Sequence, residues 1–542
     1  MPSIAYFDNC DTKLCLFDVA TEDEINNVIN KSPTKCCELD PLPTNLLKDC
    51  ANVLVPVITK IVNQSLSSGI FPMSFRSALV KPLLKKPSLD PEILKNYRPV
   101  SNLSFLSKVL ERIVLARISP FLQCNKLLDN HQSAYRANHS IETALLKVES
   151  DILTAMDHGR VVALVLLDLS AAFDTVDHCI LIARMKHLGF DAVVLQWFIS
   201  YLSNRYQSTK IQNESSVPSE LKFGVPQGSV LGPALFSIYT IPLGDIIYKY
   251  NLQYHFYADD SQLYISFDPS QAEAECALHK LESCISEIHA WMSSNFLKLN
   301  DDKTEFIILG SKHQIAKLPT LHLSIGTSQI CPSDKVRNLG AIFDTNMTLQ
   351  DHITHIAKCS SFQLRNIGFI RKYLNQDAAE QLIHAFVTSR LDMGNSLLFG
   401  LPDNQIKRLS RLQNIAARII TRTKPRDHIT PVLRELHWLP IADRIVFKIL
   451  VYVYRSTTGS SPSYIKDCLV PYKPNRYLRS GNKSLFIQPR TFTSWGQRSF
   501  LFAAPFLWNK LPDLVKSASS LNSFKSQLKT LIMNSESNYF TC

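Results

Sequence analysis

The chain has 542 residues, of which 45% are hydrophobic and 19% charged, a globular composition that excludes a mostly disordered or collagen-like protein. Its 58 Lys and Arg outnumber its 47 Asp and Glu, and the surplus sits late: residues 351–542 hold 27 of the basic side chains and only 11 of the acidic ones. A basic region joined to a slightly acidic body suits a polyanion, most often nucleic acid. At roughly 150 residues per domain, the length predicts three or four domains or one large multi-lobed body. The longest apolar run, around Val161–Leu167, falls far short of the roughly 20 residues a membrane-spanning helix needs, so no membrane partner is expected. The first residues lack a basic start followed by an apolar stretch, so no secretory signal is expected. The 13 cysteines are odd in number and form no CxxC pair, which predicts a reduced intracellular protein without a zinc knuckle.

Residues 1–39 read as an extension with one helix beginning at Thr21, where Thr21-Glu22-Asp23-Glu24 has the capping-box pattern. Residues 40–160 mix helices with Pro-rich connections. Leu103, Leu106, Val109, Leu110, Ile113 and Val114, three and four apart, predict an amphipathic helix over 102–122. From 161 to 345 strands alternate with helices. Val161–Leu167 reads as a buried strand, and 254–257 and 262–267 as a hairpin around Ala258-Asp259-Asp260-Ser261; 306–309 reads as another strand. From about 350 the pattern turns helical. Leu409, Leu412, Ile415, Ala416 and Ile419 predict one apolar face, flanked by Lys407, Arg408, Arg411, Arg418 and Arg422. His352 and His355, with no partner ligands nearby, are expected on the surface or facing a duplex. A further apolar helix over 445–454 follows Pro440, and the last 80 or so residues give no clear pattern.

Three segments carry chemistry. The buried strand runs straight into Asp168, a position costly for a carboxylate unless it is paired, hydrogen-bonded or metal-bound. Asp259 and Asp260 are adjacent carboxylates between apolar strands, which repel unless a cation lies between them. Gly224-Val225-Pro226-Gln227-Gly228-Ser229 is a Gly/Pro loop leading into a helix, where Gly228 lets the backbone approach a ligand and Gln227 offers an amide. Taken singly, each is ordinary turn or cap chemistry. If the strand ending at Asp168 lay beside the hairpin, the carboxylates would cluster at one end of a sheet. Such hard oxygen donors suit Mg²⁺, and two such ions activate an attacking oxygen and stabilise a leaving one in phosphoryl transfer.

In that order the segments resemble the reverse transcriptases of non-LTR (LINE-type) retrotransposons, over most of residues 40–345. Asp40-Pro41-Leu42-Pro43 with Leu46-Leu47-Lys48 is similar to an N-terminal block of that family. Phe71-Pro72 with Ala78-Leu79-Val80-Lys81-Pro82, and Asn96-Tyr97-Arg98-Pro99-Val100-Ser101 with Lys108 and Glu111, are similar to its finger blocks. His131-Gln132-Ser133-Ala134-Tyr135-Arg136 is similar to a LINE-typical insertion. The Asp168 strand, the Gln227 loop and Tyr257-Ala258-Asp259-Asp260 are similar to the three central palm blocks. Leu299-Asn300 with Lys303-Thr304-Glu305, and Asn338-Leu339-Gly340 leading to Phe343-Asp344, are similar to the last two.

The resemblance implies an α+β, right-hand polymerase. It would have an N-terminal extension (1–39), fingers (40–160), a palm with an antiparallel sheet (161–345), a helical basic thumb (346–425) and a C-terminal extension of unknown role (426–542). It implies an RNA-directed DNA polymerase that extends a DNA 3′ end, from a primer or nicked target DNA, on an RNA template with dNTPs. Asp168, Asp259 and Asp260 would be catalytic. With the Leu169 carbonyl they would hold two Mg²⁺, for which Mn²⁺ could substitute. Lys85, Arg98, Phe173, Gln227, Gly228 and Lys303 would bind the nucleotide, with Phe173 excluding a 2′-hydroxyl. Arg408, Arg411, Arg418 and Arg422 would grip the duplex backbone. The implied location is intracellular, in the nucleus at target DNA with a cytoplasmic stage on the RNA. Only 39 residues precede the first block, too few for the endonuclease many such proteins carry, so a truncated reading frame using a nick made in trans is expected. A catalytically silent nucleic-acid-binding relic is the alternative; an RNA-dependent RNA polymerase is disfavoured by the LINE-type blocks.

Overall fold

The computed structural model describes residues 12–35, 37–170, 173–326, 328–473 and 484–534. It has the expected α+β class. Its residues cluster into two compact units that interleave along the sequence. One comprises Met1–Tyr135, Asp168–Lys249 and Cys284–Asn300, the other Arg136–Leu167, Tyr250–Ser283 and Asp301–Cys542.

The first unit is built on a sheet of five strands. Ser77–Leu84 pairs antiparallel with Tyr97–Asn102 and parallel with Tyr206–Ile211, to which Glu214–Ser215 and Ser219–Glu220 attach. Pro82 and Pro99 stand opposite one another in this ladder. The Lys85 N–H donates to the Asn96 carbonyl, and hydrogen-bonded pairs alternate along an antiparallel ladder, so the two prolines share a position where no ladder N–H is needed. The Thr21 side chain caps the helix Glu22–Lys31 by accepting the Glu24 N–H, as expected. The amphipathic helix spans Phe105–Cys124, starting later than its apolar spacing predicts, because Ser104 caps it by accepting the Ser107 N–H. Phe71, Trp197 and Tyr201 form an aromatic core, with Trp197 and Tyr201 stacked at 5.4 Å and Phe71 edge-on to both.

The second unit holds an antiparallel sheet in the order Glu305–Leu309, Val161–Leu167, Asp260–Phe267, Gln253–Tyr257. The central strand is apolar throughout because it has neighbours along both edges and is buried along nearly its whole length. Val162, Leu164, Tyr264, Ile307 and Leu309 join a core that begins with Leu145 and Val148 of the helix Ile141–Asp157 and continues to Ile532. The stretch left unassigned from sequence therefore shares this core: Trp508 and Leu507 of the helix Phe500–Asn509, and Phe524 and Leu528 of Leu521–Asn534, are fully buried. Asp157, at the end of its helix, fastens that stretch by accepting from the Phe492 and Thr493 N–H groups and the Thr493 hydroxyl.

Two surface expectations are corrected. On the helix Asp403–Thr421 the buried stripe is Leu409, Leu412, Gln413, Ala416, Ala417 and Ile420, while Ile415 is 46% exposed. At 100° per residue Ile415 lies about a third of a turn away from the centre of that stripe. His352 is buried, not on the surface: it shares the inward face of the helix Gln350–Ile370 with Ile353 and Ile356. Burial, reinforced by His355 and Arg337, lowers its pKa to about 4.

Candidate active site

In the second unit the sheet register brings one set of sequence-predicted residues to a common edge. Leu167, the last residue of the central strand, pairs with Ser261, and Tyr257 pairs with Asp260. The hairpin is thus closed by two residues, Ala258 and Asp259, tighter than the four-residue tip read from sequence. Ala258 has φ of 58°, a left-handed conformation that strains a side chain with a Cβ. Asp259 is half-buried and Asp260 exposed. The next strand begins at Glu305, opposite Leu166, so Lys303 in the short turn Asp301–Lys303 precedes the same end of the sheet. The chain leaves the central strand at Leu167, and the residue after it is Asp168.

In the first unit Asp168 is anchored by Asn300, whose N–H donates to the Asp168 carbonyl at 2.9 Å and whose side-chain amide donates to Oδ2 at 3.3 Å. Leu169 pairs with Leu299 in a short antiparallel ladder. Phe173 is half-buried with its ring 4.8 Å from that of Phe236, and its carbonyl accepts the Val225 N–H. Gln227 donates from its amide to both carboxylate oxygens of Asp174, at 3.1 and 3.0 Å. Burial pushes the Asp174 pKa up, and this bond opposes the rise. The Gln227 carbonyl accepts the Ser101 N–H at 2.8 Å, which ties the loop to the strand Tyr97–Asn102. Gly228 is obligatory here: its φ is 128°, and a Cβ would stand 2.5 Å from the Ser101 carbonyl oxygen.

From the sequence alone Glu111 is one acidic residue within a family-like block. In the structure it is a fully buried carboxylate. It accepts from the Val230 N–H at 2.7 Å, the Leu231 N–H at 3.1 Å, the Ser107 hydroxyl at 3.1 Å and the Tyr201 hydroxyl at 3.3 Å. Those amides open the helix Gly232–Tyr239 that follows the Gln227 loop, where a negative charge is favourable. The available signal was a Ser–Glu pair four apart on the edge of an apolar helix face.

Arg98, opposite Leu83 in the sheet of the first unit, and Lys85, just past the end of the neighbouring strand, are both exposed. Lys85 donates to the Lys95 carbonyl at 2.7 Å. In the second unit, three of the four basic residues expected to grip a duplex make bonds to neighbouring chain. Arg408 donates to the Thr354 hydroxyl, Arg418 to the Asp427 carbonyl and Arg422 to the Arg371 and Leu374 carbonyls, while Arg411 is exposed.

Among the described residues no three His, Cys, Asp or Glu side chains stand together as a metal-binding group. The donors that the sheet edge does present are carboxylate oxygens, without thiolate or imidazole at the turn, and this chemistry fits a hard divalent cation. No described helix is long and apolar enough to cross a membrane.

Residues 84–343 match the family model of reverse transcriptase (RNA-dependent DNA polymerase). The chain is 26% identical over 466 residues to the probable RNA-directed DNA polymerase from transposon BS of Drosophila melanogaster, covering 84% of this chain and 50% of that protein. It is 25% identical over 439 residues to the corresponding protein of transposon X-element of the same organism, covering 77% and 46%. To the RNA-directed DNA polymerase from mobile element jockey of that organism it is 27% identical over 360 residues, covering 65% and 38%. The chain thus spans about half or less of the length of these relatives. A solved apo telomerase from Candida tropicalis, truncated from its C-terminal domain, overlaps 52% of this chain and 55% of its own, with a TM-score of 0.34 and 13% identity.

Proposed function

From a chain that carries a reverse transcriptase domain of the non-LTR retrotransposon kind, we propose an RNA-directed DNA polymerase that extends a DNA 3′ end along an RNA template. The observation that carries this reading is the sheet register, which sets the end of the strand leading to Asp168 level with the Ala258-Asp259 turn. Residues 40–160 would act as fingers, 161–345 as palm and 346–425 as thumb. Its work would lie at target DNA in the nucleus, after a cytoplasmic stage on the RNA.

Reverse transcriptases use divalent metal ions, and two Mg²⁺ held by Asp168, Asp259 and the Leu169 carbonyl, with Asp260 in support, would supply activation of the 3′ oxygen and neutralisation of the triphosphate. The chain's own residues do the positioning. The Asn300 bonds fix Asp168 at the head of its turn. Arg98, exposed on the finger sheet, offers a planar fork to the phosphates and is better placed for it than Lys85, whose ammonium is held by a carbonyl. The Gln227 loop, held by Ser101 and Glu111, presents Gly228 backbone to the nucleotide, and Phe173 would close the space beneath its sugar. Lys303 would hold charge on the leaving pyrophosphate.

The test is primer extension on an RNA template with Mg²⁺ and dNTPs, using the purified full chain and its Asp259→Asn variant. Extension by the parent and none by the variant, with primer–template binding unchanged, is expected. Equal extension by both would overturn the assignment of Asp259.

A further inference from the structure

The helix Gln350–Ile370 buries Ile353, Ile356, Ser360, Leu364 and Ile367. Its opposite face carries Lys358, Phe362, Arg365 and Phe369, all exposed, at spacings of four, three and four. At 100° per residue these four lie within about 60° of one another, so they form one stripe along the outside of the helix. Phe362 is 60% exposed and Phe369 82%. The stripe continues into the turn Arg371–Tyr373, where Tyr373 is 78% exposed and the Lys372 ammonium lies 4.8 Å from its ring. Between Asp351 and Asp377 the sequence has no acidic residue, and Asp351 is engaged by Lys335. Arg371 is not part of the stripe, because its guanidinium is committed to the Ile419 and Ile420 carbonyls.

Three large aromatic rings standing in solvent on one face are a costly surface unless something covers it. The interleaved cations state the charge of the occupant: it is anionic. A paired duplex offers such a face its phosphates but keeps the faces of its bases within the stack. An unpaired strand offers both, phosphates to Lys358, Arg365 and Lys372 and base faces to the three rings. We propose that this stripe is a stacking platform for an unpaired polynucleotide strand, distinct in chemistry from the arginines of the helix Asp403–Thr421. The inference rests on the polymerase reading only for the presence of a polynucleotide. It assigns the second unit a hold on template that is not yet, or no longer, in duplex.

The experiment measures binding without nucleotides or extension, so it succeeds or fails independently of polymerase activity. Fluorescence anisotropy is read on a single-stranded RNA of about 15 nucleotides, a DNA of the same sequence, and a blunt duplex. The proteins are the full chain and its Phe362→Leu, Phe369→Leu and Tyr373→Leu variants, which keep apolar bulk at exposed positions and leave the fold undisturbed. Each substitution should weaken binding to both single strands by about fivefold or more, since a base–aromatic stack is lost. Duplex affinity should change less than about twofold, and the salt slope should stay the same, because no charge is removed. Equal losses on strand and duplex, or no loss on the strand, would overturn the proposal. So would a concentration-dependent self-association of the parent that the leucine variants abolish, because the face would then be covered by a second copy.

Discussion

Glu111 gives the sharpest test of how the loop carrying Gln227 is held. Glu111→Ala removes the acceptor of four hydrogen bonds, two of them from backbone amides at the head of a helix. The Val230 and Leu231 N–H groups and the Tyr201 hydroxyl would be left in an interior from which water is excluded. Unpaired buried donors cost about 1–3 kcal/mol each, and loss of a buried charged partner costs about 3–5 kcal/mol in all. Glu111→Gln keeps the shape and one carbonyl oxygen but turns charge-assisted bonds into neutral ones, a loss of about 1–2 kcal/mol. With two units, a single melting temperature would blend their transitions, so the readout should be local. Hydrogen exchange of the peptide spanning Val230 and Leu231 is expected to speed up about a hundredfold in Glu111→Ala and about tenfold in Glu111→Gln. In the same proteins KM for dNTP should rise while affinity for primer–template is retained. A Glu111→Ala protein whose 230–231 amides exchange at the parent rate would refute the reasoning.

Gly228→Ala would force a Cβ to within 2.5 Å of the Ser101 carbonyl at a φ that side chains avoid; loss of the Ser101–Gln227 bond and a rise in dNTP KM of about tenfold are expected from steady-state kinetics. Phe173→Val should raise rNTP use relative to dNTP if the ring sits under the sugar, as read from the ratio of kcat/KM on one template. An unaltered ratio with lowered thermal stability would assign Phe173 to packing against Phe236 alone. His352, with a folded pKa of about 4, stays neutral while an unfolded histidine protonates near 6.5. The unfolded state then binds more protons between those values, so stability should be full above about pH 6.5 and fall by about 3 kcal/mol as pH drops to 4. Denaturant melts of the second unit against pH should show this slope, and His352→Gln should flatten it.

Much of this molecule is written locally. The Thr21 cap, the buried strand Val161–Leu167 and the hairpin that bears Asp259 each follow from neighbours within a few residues. The same holds for the ordered blocks that mark the family, since their side chains and spacing are features of the chain itself. The helix Asp403–Thr421 was also legible, but its apolar face was misplaced at Ile415, because Ile is apolar whether or not a neighbour covers it.

Partners distant in sequence lay beyond local patterns. Burial of His352, the clasp of Asp157 on Phe492 and Thr493, and the use of Arg408, Arg418 and Arg422 on nearby chain are set by which elements pack together. Glu111 is the plainest case: on its own helix it is one acidic residue at the edge of an apolar stripe, and only packing brings it two backbone amides more than a hundred positions away. Sequence by itself determined many of the secondary elements, the ordered blocks that resemble reverse transcriptases and the identity of the candidate catalytic carboxylates, because periodicity, caps and motifs act over short range. Tertiary structure alone decided which charges are buried, which loop each one holds and which basic and aromatic faces remain in solvent, because desolvation and hydrogen-bond pairing depend on the neighbours that folding supplies.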